Sequence, residues 1–533
     1  MNQAQRRVTK SLNASFIDRS LAMVCARSPV VERTLNGYGE FSLADYLRQT
    51  LLISESPLQS RNDLYEVIYR YAAPLLGDNV AVKTAQELAA FPAVLTANHH
   101  GVDFLAQSVQ GSLIFSLRKV NAKSAKTVPV FACGNISLNN PTYPRGLLLY
   151  IADRHAIEIK LPIRLPVFLD RHKRKSVSVV GPFDSDMLAK TQRQLSMLVR
   201  NEQITPALAE TVATILREDY QDSAVMKLES YSRQAVVLNN RIWKRCFSEP
   251  EQAPELIYLE LEKIASMLLH VDLNNEDSLI WQVMFNSSLR AKVLAHLDGV
   301  RACWNRGKLV KRVSQILDNN YVSSSGSGTI FFWAVDAAGW RIPLLLTEGS
   351  DHRVALQGRD EQGQLWSIPF TPKDILDGLQ AGRLLPSLFT CYSTIGFARG
   401  ISCCGGYFQA EYLAGMQRGL INALHESVGC AEYAKYLSQV PSDIYLSGMQ
   451  AIMRIQDKDL LLPAGPIEII ASGGLSRGQF EQMSSQTVRD AHLAGLIETL
   501  PDFQSREERP DNCFHLLAAE NHQLLRGRAL IIS

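Results

Sequence analysis

A mixed α/β protein with a mainly parallel, doubly wound sheet is predicted by three features of this 533-residue chain. Short runs rich in β-branched residues alternate with helical stretches from about residue 93 onward, the pattern of strand–helix–strand units. The run Val94–Ala97 stops abruptly at Asn98, as a buried strand does when it reaches a ligand-facing end. The composition, 46% hydrophobic and 20% charged with a net charge of +2, is that of an ordinary globular chain able to bury a large core.

The elements follow in order. Residues 1–75 form an N-terminal helical segment, with "SLADYLRQTLL" and "DLYEVIYRYAAPLL" carrying apolar residues at three-and-four spacing. Residues 76–270 form the α/β core. Its expected strands are "AVLTAN", "TVPVFACGN", "AIEIKLPIRLPVFL", "KSVSVVGPF" and "AVVLNN", with "FLAQSVQGSLIFSLRKV" as an intervening helix. Thr205 and Pro206 stand as N-cap and first-turn proline of a further helix. "ELIYLELEKIASMLLH" reads as helix and leads into a helical segment over 271–322. "SSSGSG" at 323–328 has the composition of a linker or of a loop over a site. Residues 329–533 form a C-terminal α/β part that completes the core, with strands expected at "TIFFWAV", "RIPLLLT", "RVALQGRDEQGQLWSIPF" and "LFTCYSTIGF".

Bulk properties exclude several function classes. The N-terminal stretch lacks an uninterrupted apolar segment with a cleavage site, and no run approaches the length of a membrane span. Nine cysteines without regular spacing suit reduced thiols in the cytoplasm. The basic "DRHKRKS" at 170–176 reads as a solvated turn, too small for a nucleic-acid surface. The expected partner is a small molecule, with neither nucleic acid nor membrane.

Four stretches could carry chemistry. In "TANHHGVDF", Asn98, His99, His100, Gly101 and Asp103 follow a strand; an imidazole can move a proton near neutral pH, and the turn exposes backbone N–H groups. Glycerolipid acyltransferases separate their histidine and aspartate by four residues, whereas only three lie between His99 and Asp103. "FACGNISLNN" offers Cys133 and Asn135 at the end of the next strand. "ISCCGGYF" places Gly405 and Gly406 before a helix, where a ligand can approach the backbone. "ASGGLSRGQF" reads as a helix cap beside Arg477. No Cys-x-x-Cys or His-Glu-x-x-His pattern occurs, so no metal site is expected.

Taken in order, these stretches resemble the BshC family, the cysteine-adding enzymes of bacillithiol synthesis. "TANHHG" (Thr96 to Gly101) occupies the place of that family's Thr-Gly-Gln-Gln-x-Gly segment, Pro129, Val130 and Phe131 match its Pro-Val-Phe strand, and Gly405, Gly406 and Tyr412 fall in register with its later glycine-rich segment. The likeness spans about residues 80 to 415. It departs at Asn98 and His99, where the family has two glutamines; at 135–140, which carry no acid; at Thr390 and Cys391, in place of Arg-Pro; and in the C-terminal third, where no long coiled coil is evident.

The resemblance implies a nucleotidyltransferase-like, Rossmann-like sheet with helical additions and a ligase-like enzyme joining an amino acid, cysteine being the candidate, to a small amine. His99, His100 and Asp103 are then the expected catalytic residues. Asn98, Gly101, Asn135, Gly405 and Gly406 are the expected substrate contacts, and ATP or another nucleotide is the candidate cofactor. Two other readings use the same turn: nucleotidyl or acyl transfer, and a catalytically silent ligand-binding scaffold.

Overall fold

The computed structural model of the chain describes residues 15–53, 58–151, 161–314, 326–350, 352–456 and 459–533. Its centre is a five-stranded sheet of Ala93–Leu95 (β1), Thr127–Ala132 (β2), Glu255–Glu260 (β3), Ser402–Gly406 (β4) and Tyr445–Ser447 (β5). The order is β5-β4-β1-β2-β3 and every pairing is parallel. Leu95 lies opposite Cys404 on one side and Val130 on the other.

The chain leaves β1 through the helix Ala106–Ser116 (α1) and moves outward to β2 and β3. It then returns across the sheet to lay β4 on the free edge of β1. Loops therefore diverge to opposite sides above β1 and β4, which opens a crevice at the carboxyl ends of those strands.

Both faces of the sheet are covered, so its strands read as continuous apolar runs. Val94, Phe131, Ile257 and Cys403 point into one buried cluster, shared with the helices Leu261–Asp272 (α3) and Tyr407–His425 (α4). Their alternates Leu95, Val130, Tyr258 and Cys404 point into a second, built on α1 and the C-terminal helices. Helix α1 is buried all round. Its Gln110 is fully satisfied, donating to the carbonyls of Ile452 and Ala464 and accepting from the N–H groups of Ala451 and Ile452. A third cluster fills the insertion between β2 and β3, around the hairpin Gly146–Leu149/Ile163–Pro166 and the helix Tyr231–Arg245 (α2).

One buried ion network ties distant segments together. Arg399, just before β4, pairs with Asp63 in the first turn of the helix Asn62–Leu76 and with Asp272 at the end of α3. Arg399 and Asp272 are both buried, and the Thr394 carbonyl accepts a further guanidinium N–H at 2.7 Å.

Several local expectations change. "AVVLNN" lies inside α2, because Ala235, Val236, Leu238, Ile242 and Trp243 form one helical stripe against the core and Ser230 caps the helix. "LFTCYSTIGF" is helical, Leu388–Tyr392 running into a wider turn over Ser393–Phe397, with Ser387 as N-cap. "ELIYLE" is strand β3, not the start of a helix; its apolar residues are buried on both faces of the sheet. "KSVSVVGPF" makes one isolated bridge, Ser137 to Ser176, and no strand. "DRHKRKS" holds a short 3-10 turn, Asp170–His172, fixed by an Arg145–Asp170 ion pair and by Arg174 over Trp340. The segment 156–160 and residues 323–325 of the serine–glycine stretch lie outside the described residues.

Candidate functional site

Above the carboxyl ends of all five strands lie two adjoining cavities, of about 500 Å³ and about 250 Å³. They share Ala97, His99, Ala302, Leu388 and Tyr412 as walls. Ala302 holds a left-handed backbone, φ +65°, a conformation that costs a residue with a Cβ about 1–3 kcal/mol and tends to mark functional loops.

His99 is the one residue of the opening turn that faces both cavities. The sheet carries it there: beyond β1, the Asn98 carbonyl accepts from Cys133 N–H and His100 N–H donates to the Cys133 carbonyl, extending the β1–β2 pairing past the last regular residue. Its tautomer follows from its neighbours. The Thr142 hydroxyl donates to Asn140 Oδ1 (2.9 Å), so its oxygen accepts from His99 Nδ1–H (3.2 Å). Nε2 is left with its lone pair and without a hydrogen-bond partner among the described residues. Burial pushes the ring down to about 4, against a weaker upward pull from the Asn140 amide, so His99 is a neutral base at pH 7.

The other residues of the turn support it from behind. Asn98 is buried and donates to the Tyr258 hydroxyl (2.7 Å), which donates to Asp103 Oδ2 (2.6 Å). Asp103 also accepts from Leu105 N–H and the Ser108 hydroxyl, and burial pushes its carboxyl up to about 6. His100 is fully buried. Its Nε2–H donates to Ser232 Oγ (2.9 Å), whose hydroxyl donates to Glu260. Gly101 has φ +127°, and a Cβ there would stand 2.7 Å from Pro144 Cβ. Asn98, His100, Gly101 and Asp103 line neither cavity; they hold the turn that presents His99.

The smaller, inner chamber is polar. Cys133 and Asn135 enter from the end of β2, Glu262 from the start of α3 just past β3, and Arg341 from the strand Arg341–Pro343. The buried Glu262 carboxylate accepts from Gly134 N–H (2.8 Å), Asn135 N–H (3.0 Å) and the Cys133 thiol (3.1 Å). Burial, then the neighbouring Glu260, pushes Glu262 up to about 7 despite those donors. Burial and the Glu262 charge also push the Cys133 thiol well above its ordinary value, so it is a hydrogen-bond donor and not a thiolate. Arg341 donates to the Asn135 carbonyl and lies over the Trp333 ring at 5.0 Å. Asn135 is buried and its Oδ1 has no partner.

The larger, outer chamber is bounded by Gly406, Tyr407, Phe408, Gln409, Arg301, Ser447 and Asp502, among others. Gly406 precedes the first turn of α4. Gly405 lies beneath it: Gln409 folds over that glycine so closely that a Cβ would sit 2.4 Å from its Cδ. Asn135 and Gly406 thus line different chambers, and Gly405 shapes the floor without lining either.

Glu262, Arg341 and Arg301 did not stand out in the sequence. Glu262 carried a usable signal, since "LIYLELE" passes from apolar to acidic as "VLTANHH" passes from apolar to polar. The "ASGGLSRGQF" stretch lies elsewhere, where Ser476 and Gln479 cap a helix reciprocally. Among the described residues no three His, Cys, Asp or Glu side chains converge as a metal-ligand set, and no helix is long and apolar enough to cross a membrane.

What the site can do follows from the pair His99 and Glu262. One titrates below its usual range and the other above it, so near pH 7 the chamber offers a free imidazole and a carboxyl able to give up a proton. Comparisons of the chain with models of known protein families, with curated proteins and with solved structures each find no match.

Proposed function

We propose that this protein is an enzyme forming a carbon–nitrogen bond between an amino acid and a small amine, on a nucleotidyltransferase-like Rossmann sheet. The observation that carries the reading is His99 standing as a common wall of two chambers, so that two substrates meet at its free Nε2. The inner chamber suits an amino acid: Arg341 faces its carboxyl group and Glu262 its ammonium. The outer chamber receives the amine.

With the carboxyl activated as an acyl phosphate or acyl adenylate by ATP, the amine nitrogen attacks the carbonyl carbon. The C–N bond forms, the bond from the acyl carbon to the bridging oxygen breaks, phosphate (from the acyl phosphate) or AMP (from the adenylate) leaves with the electron pair, and the amine proton passes to His99 Nε2. Arg341 stabilises the oxygen that gains charge. The resemblance of "TANHHG", Pro129–Phe131 and Gly405–Gly406 to the BshC family supports the same reaction class. Glu262, delivered from β3 against Cys133 and Asn135, supplies the acid that residues 135–140 lack.

The test is incubation of the full chain with ATP, cysteine and other amino acids, and a panel of amino sugars, followed by mass spectrometry for a condensed product. A thermal-shift panel of the same amino acids runs beside it, because a ligand that binds only the folded state raises its stability. The expected result is a product from one pairing and stabilisation by the amino acid that forms it. If no amino acid stabilises the folded chain, or if Arg341→Ala leaves that stabilisation unchanged, the reading fails.

A further inference from the structure

We infer that the outer chamber is a binding site for the phosphate group of a hydroxyl-bearing phosphorylated ligand, a sugar phosphate or a nucleotide, held between the N-terminus of α4 and Arg301. The inference deepens the proposed function by naming what the second chamber takes, and it concerns binding alone.

Three independent features converge. The first is helix α4: 19 residues long, it begins at the chamber wall with Gly406 as N-cap, no side chain caps it, and its first turn carries no carboxylate. The positive end of its dipole is therefore offset by no charge on its own turn. The second is Arg301. Its guanidinium is held 3.9 Å over the Phe408 ring, in that same first turn, and forms no salt bridge or hydrogen bond among the described residues. Stacking fixes the cation beside the helix end, the arrangement that suits a fork of N–H donors meeting phosphate oxygens.

The third is Gln409. It is 4% exposed and lines the chamber; its Nε2 donates to Thr96 Oγ1, while Oε1 has no partner. A buried acceptor left alone costs about 1–3 kcal/mol, which a ligand hydroxyl would relieve. An anion alone would not; hence a hydroxyl beside the phosphate. Asp502 also lines the chamber; its carboxylate accepts from the Tyr407 hydroxyl and feels the Arg301 charge, and both pull its titration down against the rise from burial, so an incoming phosphate shares Arg301 with it. Position agrees with chemistry, since the chamber opens where β1 and β4 send their loops apart.

The experiment is a thermal-shift and calorimetric titration of the full chain with pyrophosphate, ADP, adenosine, a hexose 6-phosphate and the free hexose. Wild type, Arg301→Ala, Arg301→Glu and Arg477→Ala are compared, the last being an exposed arginine at another helix start. The expected result is stabilisation by pyrophosphate and by ADP or the hexose phosphate, tighter for the phosphorylated compound than for its phosphate-free parent. That binding weakens about 10-fold or more in Arg301→Ala, is lost in Arg301→Glu and is unchanged in Arg477→Ala. Which phosphorylated compound binds tighter distinguishes a nucleotide from a sugar phosphate. Failure of every phosphorylated probe to bind wild type, or equal binding by Arg301→Glu, overturns the inference. No turnover is needed, so a chain that binds phosphate and makes no amide retains this site while losing the proposed reaction.

Discussion

The two chambers share a wall and differ in how they hold charge. In the inner one a buried carboxyl and a guanidinium face the same small space, and the carboxyl is bracketed by two backbone N–H groups and a thiol. In the outer one the cation lies on an aromatic ring and the favourable field comes from a helix end. On the proposed reading the inner chamber recognises a ligand carrying both signs of charge, and the outer one seats an anion with room for bulk. A single imidazole, His99, borders both.

Substitutions sharpen that contrast, beginning with the largest effect. His99→Ala should lower turnover by roughly 100-fold or more with the fold intact, the usual scale for an acid–base group, whereas His100→Ala should lower it far less. Steady-state rates of the two variants decide whether the turn has one working histidine or two. Full activity in the double variant would remove catalysis from the turn altogether. Next, Arg341→Ala should weaken amino-acid binding by about 10- to 100-fold, as loss of a hydrogen bond to a charged group does, and leave pyrophosphate binding unchanged. Calorimetry with each ligand separates the chambers; equal losses for both would merge them into one site.

A third test uses pH. Glu262 keeps its proton up to about pH 7 in the folded chain, while an ordinary glutamate gives it up near pH 4.5. Between those values the folded state binds more protons than the unfolded, so this group makes stability fall as pH rises from about 4.5 to about 7. Glu262→Gln should remove roughly 2–3 kcal/mol of that fall. Urea unfolding at pH 5 and pH 8 measures it, against a background from Glu468 and Glu498, which burial also pushes up to about 7. Smallest, His100→Ala should cost about 1–2 kcal/mol of stability by unpairing Ser232 from its ring donor. Its amino-acid affinity should match wild type, marking His100 as a support for the turn.

The sequence showed the parallel sheet and the end of its central strand. "AVL" and "TVPVFA" are apolar throughout because both faces of the sheet are buried, and a fully buried strand stops visibly at its first polar residues. It also marked Asn98, His99, His100 and Asp103 together, though not which of these four polar residues would reach the cavity. That depends on Tyr258 and Ser232, which stand far away in the chain and draw Asn98, Asp103 and His100 back into the protein. β3 was hidden because "ELIYLELEKIASMLLH" joins a strand to a helix without a turn residue between, so the helical period of its second half masks the first. Arg341 and Arg301 look like ordinary surface cations in sequence. Only the return of the chain to β4, and the packing of residue 301 on Phe408, gives them a cavity to face.

Arg399 reaches back 336 residues to Asp63 and 127 to Asp272. On a ribosome adding about 5–20 residues per second, Asp63 waits roughly twenty seconds to a minute before its cation is even synthesised. β4, which borders the crevice, begins three residues later still. The nascent chain therefore carries an exposed strand edge at β1 and two carboxylates without their counter-ion until its last quarter emerges. Closure of the crevice is thus a late event, and a fragment ending before Arg399 has neither the clasp nor the second wall of the crevice.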